Sequence, residues 1–243
     1  MSLKESFEKS GNWLFRYRSY IPVIFLLTAF PVIAITPVPV FSESLTCLSV
    51  ILSLMGVGVR AYTIGTTPRG TSGRNTSKQV AETLNTSGIY SLVRHPLYLG
   101  NYMMWAGLAL FAYNIWYFII VSLVFWIYYE RIMFAEEAFL QGKFGEVFQV
   151  WASQVPAFFP RFKGFRPAAM PFSLKSVLRR EYSGIFALTL VYFLMDYSRI
   201  LMLGLPFMQR RASAIVLLVT GAIALLLRNL KHHTSLLNES DRS

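Results

Sequence analysis

The sequence predicts an all-α, multi-pass integral membrane protein with about six transmembrane helices, two of them paired in a tight hairpin, plus one amphipathic interfacial helix. Three observations carry this reading. Of the 243 residues 54% are hydrophobic and only 14% are charged, against about 25% charged in soluble domains. Several uncharged runs reach the ~20 residues needed to cross the ~30 Å hydrocarbon layer. The Lys and Arg residues, 23 against 12 acidic ones, fall mostly in alternate connecting segments, as membrane topology requires.

Each element follows from its composition. The first twenty residues mix charges with aromatics and show no apolar core before a small-residue cleavage site, so no removable signal peptide is expected. Ile21 to Phe41 is an uncharged run of 21 residues that contains Pro22, Pro31, Pro37 and Pro39, so a kinked or frayed span is expected. Leu45 to Ile64 is the second span, with Arg60 near enough to its end to snorkel. Its Gly56 and Gly58 suit close helix approach, and Cys47 reads as a small core residue. Residues 66–91 are rich in Gly, Ser, Thr and Asn and read as a flexible loop.

Leu97 to Tyr129 holds 33 residues without a charge. That is too long for one crossing and too short for two full ones, so two short or tilted helices turning near Tyr113-Asn114 are predicted. Beyond it, Phe144, Phe148, Trp151 and Val155 recur at helical spacing and form the stripe of a short amphipathic helix. Ile185 to Leu205 is a fifth span, in which Asp196 and Arg199 lie one turn apart. Ala212 to Leu227 is the sixth. With the N-terminus inside, 20 of the 23 basic residues lie on the inner side. Both termini and both large polar loops are therefore expected on the cytoplasmic face.

The two loops then share a surface. Pro96 pushes His95 toward extended geometry and suits the first turn of a helix, which makes His95 a cap position. Free N–H groups at that helix start, with Arg94 and His95, would receive a carboxylate or phosphate. Tyr90 and Tyr98 add flat faces for a heterocycle or a cation. The second loop supplies Glu136-Glu137, suited to a cationic ligand across the same surface. The basic excess is a topology and lipid-surface signal; no nucleic-acid motif accompanies it, and no metal-ligand set is evident.

Tyr90-x3-Arg94-His95-Pro96-x-Tyr98-x-Gly100, followed by Glu136-Glu137-x2-Leu140-x3-Phe144-Gly145-x2-Phe148-x2-Trp151-x3-Val155-Pro156, resembles the isoprenylcysteine carboxyl methyltransferase family and its phospholipid-methyltransferase relatives. The likeness spans roughly residues 84–160, the core of a single membrane domain over 1–243, with residues 183–228 as an additional C-terminal transmembrane pair. It implies S-adenosyl-L-methionine as cofactor and a lipid or lipidated acceptor reached from the membrane. Matched position by position, Leu84, Asn85, Tyr90, His95, Pro96, Tyr98 and Glu136 would contact the cofactor, and Arg131 and Glu137 would face the transfer site. Arg60, Arg69, Arg74 and Lys78 give the first loop a cationic lining that favours an anionic acceptor, a carboxylate or phosphate oxygen, and Arg69, Arg74 and Arg94 are the candidate substrate-binding residues.

The chain departs from the family pattern in three places. Phe148 replaces a usual tyrosine, Glu82-Thr83-Leu84 stands where His-x-Leu is common, and Arg131 lies five residues before Glu136 rather than four. On a helix that extra residue turns Arg131 by about 100°. The absence of a glycine-rich dinucleotide fingerprint sets the soluble methyltransferase fold aside. Two other readings remain: an NADPH-dependent sterol or lipid reductase, which shares a similar Arg-His-Pro-x-Tyr-x-Gly element, and a non-enzymatic transporter or scaffold. The acid pair disfavours the first, because it would repel the cofactor's phosphates. Polar groups gathered on one face rather than at the midplane disfavour the second.

Overall fold

Helices dominate the computed structural model, which describes residues 2–68, 70, 79–204, 211–239 and 242. In chain order they are α1 (Leu3–Tyr17), α2 (Ile21–Ile35), α3 (Ser42–Gly65), α4 (Pro96–Phe111), α5 (Ile115–Phe144), α6 (Glu146–Gln154), α7 (Leu174–Leu203) and α8 (Arg211–His233). Among the described residues there is no strand, only an isolated antiparallel bridge between Gly88 and Arg166. Helices α3, α5, α7 and α8 are each long and apolar enough to cross a membrane; α1 and α2, joined at a 74° elbow, make a fifth candidate. With α4, which at 16 residues is shorter than those four, the apolar helices are roughly consistent with the six or so spans expected from the sequence.

The hairpin turns at the predicted place. Helix α4 ends at Phe111 and α5 starts at Ile115, capped by the Asn114 side chain, which accepts from the Tyr117 N–H. Tyr113 adopts φ 60°, a costly conformation for a non-glycine residue. Its surroundings hold it there: the hydroxyl lies 2.6 Å from Thr46 Oγ1, and the Arg199 guanidinium sits 4.1 Å from the ring centroid. Arg199 also donates to the Phe111 carbonyl at 2.7 Å, a cation at the exposed end of a helix dipole. Asp196 accepts from Ser213 of α8. Arg199 thus secures the turn, and Asp196 ties α7 to α8.

Small residues let α3 and α4 meet backbone to backbone. A Cβ on Gly56 would stand 2.5 Å from the Gly100 carbonyl oxygen, and one on Gly107 only 2.1 Å from Ser53 Oγ. Gly58, expected to play the same part, faces open space. Ser49 and Ser53 donate to the Gly107 and Met104 carbonyls, and the Tyr192 hydroxyl of α7 lies within 2.9 Å of both serines. Cys47, expected in the core, is instead exposed on the outer side of α3.

The sequence did not suggest a helix before residue 21. Helix α1 starts at a reciprocal capping box between Ser2 and Glu5 and packs on α5, where Gly11 touches the Arg131 carbonyl and Tyr128 donates to the Leu14 carbonyl. Phe15, Tyr98, Phe125, Tyr128, Tyr129 and Ile132 form an aromatic core at this end.

A candidate cofactor and acceptor cavity

Two strands of irregular backbone carry the motif residues into place. The segment following α6 runs beside the one preceding α4: Arg94 and His95 donate their N–H groups to the Pro156 and Ala157 carbonyls at 2.9 and 3.1 Å, and Arg161 donates to the Leu92 carbonyl. Gly145, at φ 53°, breaks α5 from α6. The turn folds the predicted stripe inward, so that Phe148, Trp151 and Val155 pack against Leu84, Tyr90, Leu140 and Phe144. The Trp151 ring nitrogen donates to the Tyr90 carbonyl at 3.1 Å. Both motifs are thereby fastened to each other.

His95 is the residue before helix α4, as Pro96 requires. The His95 N–H is taken by the Ala157 carbonyl, and the Tyr98 N–H turns back to the His95 carbonyl. Two of the donors expected to greet an anion at this helix start are therefore already engaged. The side chain of His95 is buried and points the other way in charge: Nε2 lies 2.9 Å from Glu137 Oε1, and Nδ1 lies 3.6 Å from Glu136 Oε2. Burial works against a charged ring here. The two carboxylates outweigh it and raise the His95 pKa to about 9, so the imidazolium persists at neutral pH. Burial also raises the Tyr90 hydroxyl, with Glu136 adding to the effect.

The carboxylates are not equivalent. Glu137 is held by His95 and by a two-pronged contact from Arg94, Nε at 2.9 Å and Nη2 at 3.1 Å. Arg94 spends its remaining reach on the Ala152 and Val155 carbonyls, so it serves as a clamp between α5 and the end of α6. Glu136 Oε2 is buried without a hydrogen-bond partner, and an enclosed carboxylate oxygen in that state costs free energy until something donates to it.

Around this cluster lies a cavity of about 820 Å³, within the ~300–1,000 Å³ range of small-molecule sites. Leu84, Asn85, Tyr90, Arg94, His95, Pro96, Tyr98, Glu136 and Glu137, all singled out from the sequence, share its wall. Arg131 does not line it: the guanidinium packs over the Phe7 ring at 4.6 Å and donates to Ser10, facing α1. Arg69, Arg74 and Lys78 lie outside the described residues.

The wall also includes residues that the sequence reading missed. Phe15, Arg18 and Ser19 come from α1 and the elbow, and Arg180 and Glu181 from α7. Arg60, expected both to snorkel and to add to the cationic lining, turns inward to the cavity wall. It grips Glu181 with two bonds of 2.7 Å and donates to Asn101 at 2.6 Å. Among the described residues no cluster of three or more His, Cys, Asp or Glu could hold a metal ion.

Comparison with known proteins bears on the same region. The phospholipid methyltransferase family matches residues 45–147, from α3 to the start of α6. The chain is 34% identical over 114 residues to the nickel-cobalt-cadmium resistance protein NccN of Alcaligenes xylosoxydans xylosoxydans, covering 47% of this chain and 53% of that one. It is 34% identical over 113 residues to the cobalt-zinc-cadmium resistance protein CzcN of Cupriavidus metallidurans, covering 46% and 52%. It is also 34% identical over 77 residues to a protein-S-isoprenylcysteine O-methyltransferase of Schizosaccharomyces pombe, covering 32% and 33%. The chain thus spans about half the length of the first two relatives and a third of the last. No solved structure matches it.

Proposed function

We propose that this protein is a membrane-embedded methyltransferase that uses S-adenosyl-L-methionine to methylate a lipid or lipidated acceptor. The observation that carries the proposal is the buried Glu136 Oε2 in the wall of an aromatic cavity, an atom with no hydrogen-bond partner and with His95 Nδ1 near it at 3.6 Å. Glu137 is already neutralised by Arg94 and His95, so Glu136 retains acceptor capacity for a ligand's ammonium, sulfonium or ribose hydroxyl. Tyr90 and Tyr98 offer faces for an adenine, Asn85 a polar edge, and Leu84 and Pro96 apolar contacts. His95 is already shared by two carboxylates, so the ligand's carboxylate falls to an arginine of the same wall, Arg18 or Arg180. This donor set fits the zwitterionic cofactor.

When bound, the cofactor supplies an electrophilic methyl group, which an acceptor oxygen displaces from sulfur in line. The protein's part is orientation and exclusion of water, which can contribute ~7–11 kcal/mol to such a reaction. Glu137 keeps Arg94 and His95 in place at the cavity wall. Arg131 faces α1 and therefore acts through that helix, as a positioning residue. Arg18 and Arg180 line the cavity and supply cations for an acceptor carboxylate or phosphate oxygen; the sequence adds Arg69 and Arg74 as candidate acceptor contacts. The segment before α4 forms part of the cavity wall, on the side of the bundle that the distribution of Lys and Arg favours as cytoplasmic, together with both termini.

The test is S-adenosylhomocysteine binding to the detergent-purified protein by calorimetry, with NADPH as competitor and His95→Ala and Glu136→Ala as controls. Micromolar binding that NADPH leaves unchanged and that both variants lose supports the proposal. Binding of NADPH alone replaces it with the reductase reading, and binding of neither leaves a transporter or scaffold.

A further inference from the structure

Helix α1 has three distinct sides. At about 100° per residue, Phe7, Gly11, Leu14 and Phe15 fall in one arc of about 100°, and this is the side packed on α5. Glu5, Glu8, Lys9, Asn12 and Arg16, all exposed, occupy a second arc of about 100°. Leu3, Trp13 and Tyr17 occupy the third, about 80° wide, with the small Ser6 and Ser10 between them. These apolar residues are not tucked away: Leu3 is 76%, Trp13 61% and Tyr17 41% exposed.

The aromatic side continues past the helix. Trp13 and Tyr17 have ring centroids 4.8 Å apart, and Tyr17 and Tyr20 6.2 Å apart. This ladder leads through the elbow straight into the exposed Val23, Ile24 and Leu27 of the apolar helix α2. The polar side leads elsewhere: Asn12 accepts from Gln79 of the loop that borders the cavity. One flank therefore joins an apolar, membrane-suited surface and the other joins a water-facing loop.

The geometry points to α1 as an interfacial helix seated in the headgroup layer of a phospholipid bilayer, with Leu3, Trp13, Tyr17 and Tyr20 toward the lipid. Amphipathic aromatic rings settle at that depth, and charged residues on the opposite side remain hydrated. The mixed signs on the polar side, Lys9 and Arg16 against Glu5 and Glu8, make the docking independent of anionic lipid. Helix α1 also supplies Phe15, and its C-terminal end Arg18 and Ser19, to the cavity. The membrane surface thereby fixes one cavity wall at headgroup depth, so the group presented there is one held at that depth. This inference stands whether or not the cavity binds S-adenosylmethionine.

The experiment uses the full chain in phosphatidylcholine nanodiscs, with Cys47→Ser as background. Single cysteines replace Trp13, Tyr17, Glu5 and Lys9, each carrying a nitroxide label, and accessibility to oxygen and to a water-soluble nickel chelate is read by electron paramagnetic resonance. Labels at 13 and 17 should be several-fold more accessible to oxygen than to nickel, and labels at 5 and 9 the reverse. Bromolipid quenching of the unlabelled protein, lost in part in Trp13→Phe, gives the same reading without perturbing the helix. Equal nickel accessibility at all four positions, or dipolar broadening from a second copy at 13 and 17, would overturn the proposal, as would quenching unchanged in Trp13→Phe.

Discussion

His95 and Glu137 stand 2.9 Å apart, Nε2 to Oε1, and this contact joins the start of α4 to the polar end of α5. Glu136, Glu137 and Arg94 are the charged groups facing the imidazole, and Tyr98 stacks on it with ring centroids 5.6 Å apart. The residue acts as a fixed cation shared by two carboxylates rather than as a proton shuttle at neutral pH.

That cation has a pH signature. Folding raises the His95 pKa from its ordinary 6.5 to about 9. The stability it contributes is complete below pH ~6.5, where the unfolded chain is also protonated, and is lost as the pH rises through about 9. The melting temperature of the wild type should exceed that of His95→Asn most at pH 6, and the gap should close by pH 10. A gap of constant size would refute the charged state.

The two glutamates should separate cleanly. Glu136→Gln leaves Glu137 to hold His95 and disturbs little packing, so it should weaken S-adenosylhomocysteine binding by about tenfold, ~1.4 kcal/mol, with a smaller fall in melting temperature than Glu137→Gln. Glu137→Gln leaves the buried Arg94 clamp and His95 without their shared anion, a loss of order 1–3 kcal/mol; it should lower the melting temperature whether or not ligand is present. Equal thermal loss in both variants would mean that Glu136 is a structural partner like its neighbour.

Much of this site is legible in the sequence because its signals are local. Pro96 marks a helix start and so locates His95; the charge-free run up to Tyr129 and its central Tyr113-Asn114 locate the hairpin. Arg131 is harder, because a displacement of one residue turns it from the cavity toward α1, and only the packed helix shows what it meets. Arg60 and Glu181 are 121 residues apart, and neither sits in a motif, so nothing local announces their pairing. Helix α1 did leave a trace, the Ser2-x-x-Glu5 capping box, which its mixed composition obscured.

The α3–α4 seam supplies a stability test with an internal control. Gly107→Ala places a methyl 2.1 Å from Ser53 Oγ and 2.6 Å from the Ser49 carbonyl oxygen, and backbone cannot yield as a side chain can. Overpacking of this kind costs about 1–3 kcal/mol. Gly58→Ala on the same helix pair meets no atom within 4 Å and should melt like the wild type or slightly above it, since alanine favours the helix. Similar melting temperatures for the two variants would show that the helices do not approach this closely.

The Arg60–Glu181 pair reaches from α3 to α7, which lies outside the region matched to the methyltransferase family. Glu181 is almost fully buried, and Arg60 is braced a third time by Asn101. Removing one partner of such a pair strands the other charge, typically at a cost of ~3–5 kcal/mol, whereas replacing both with apolar residues of similar volume is often neutral. Glu181→Met should therefore be markedly destabilised, and the double variant Arg60→Met/Glu181→Met should recover most of the loss. Under the proposed function the recovered fold should still bind S-adenosylhomocysteine, because the motif residues lie on α4, on α5 and just before α4, and the wall loses one cation and one anion together. A double variant as unstable as the single one would mean that the pair stabilises α7 by more than mutual neutralisation.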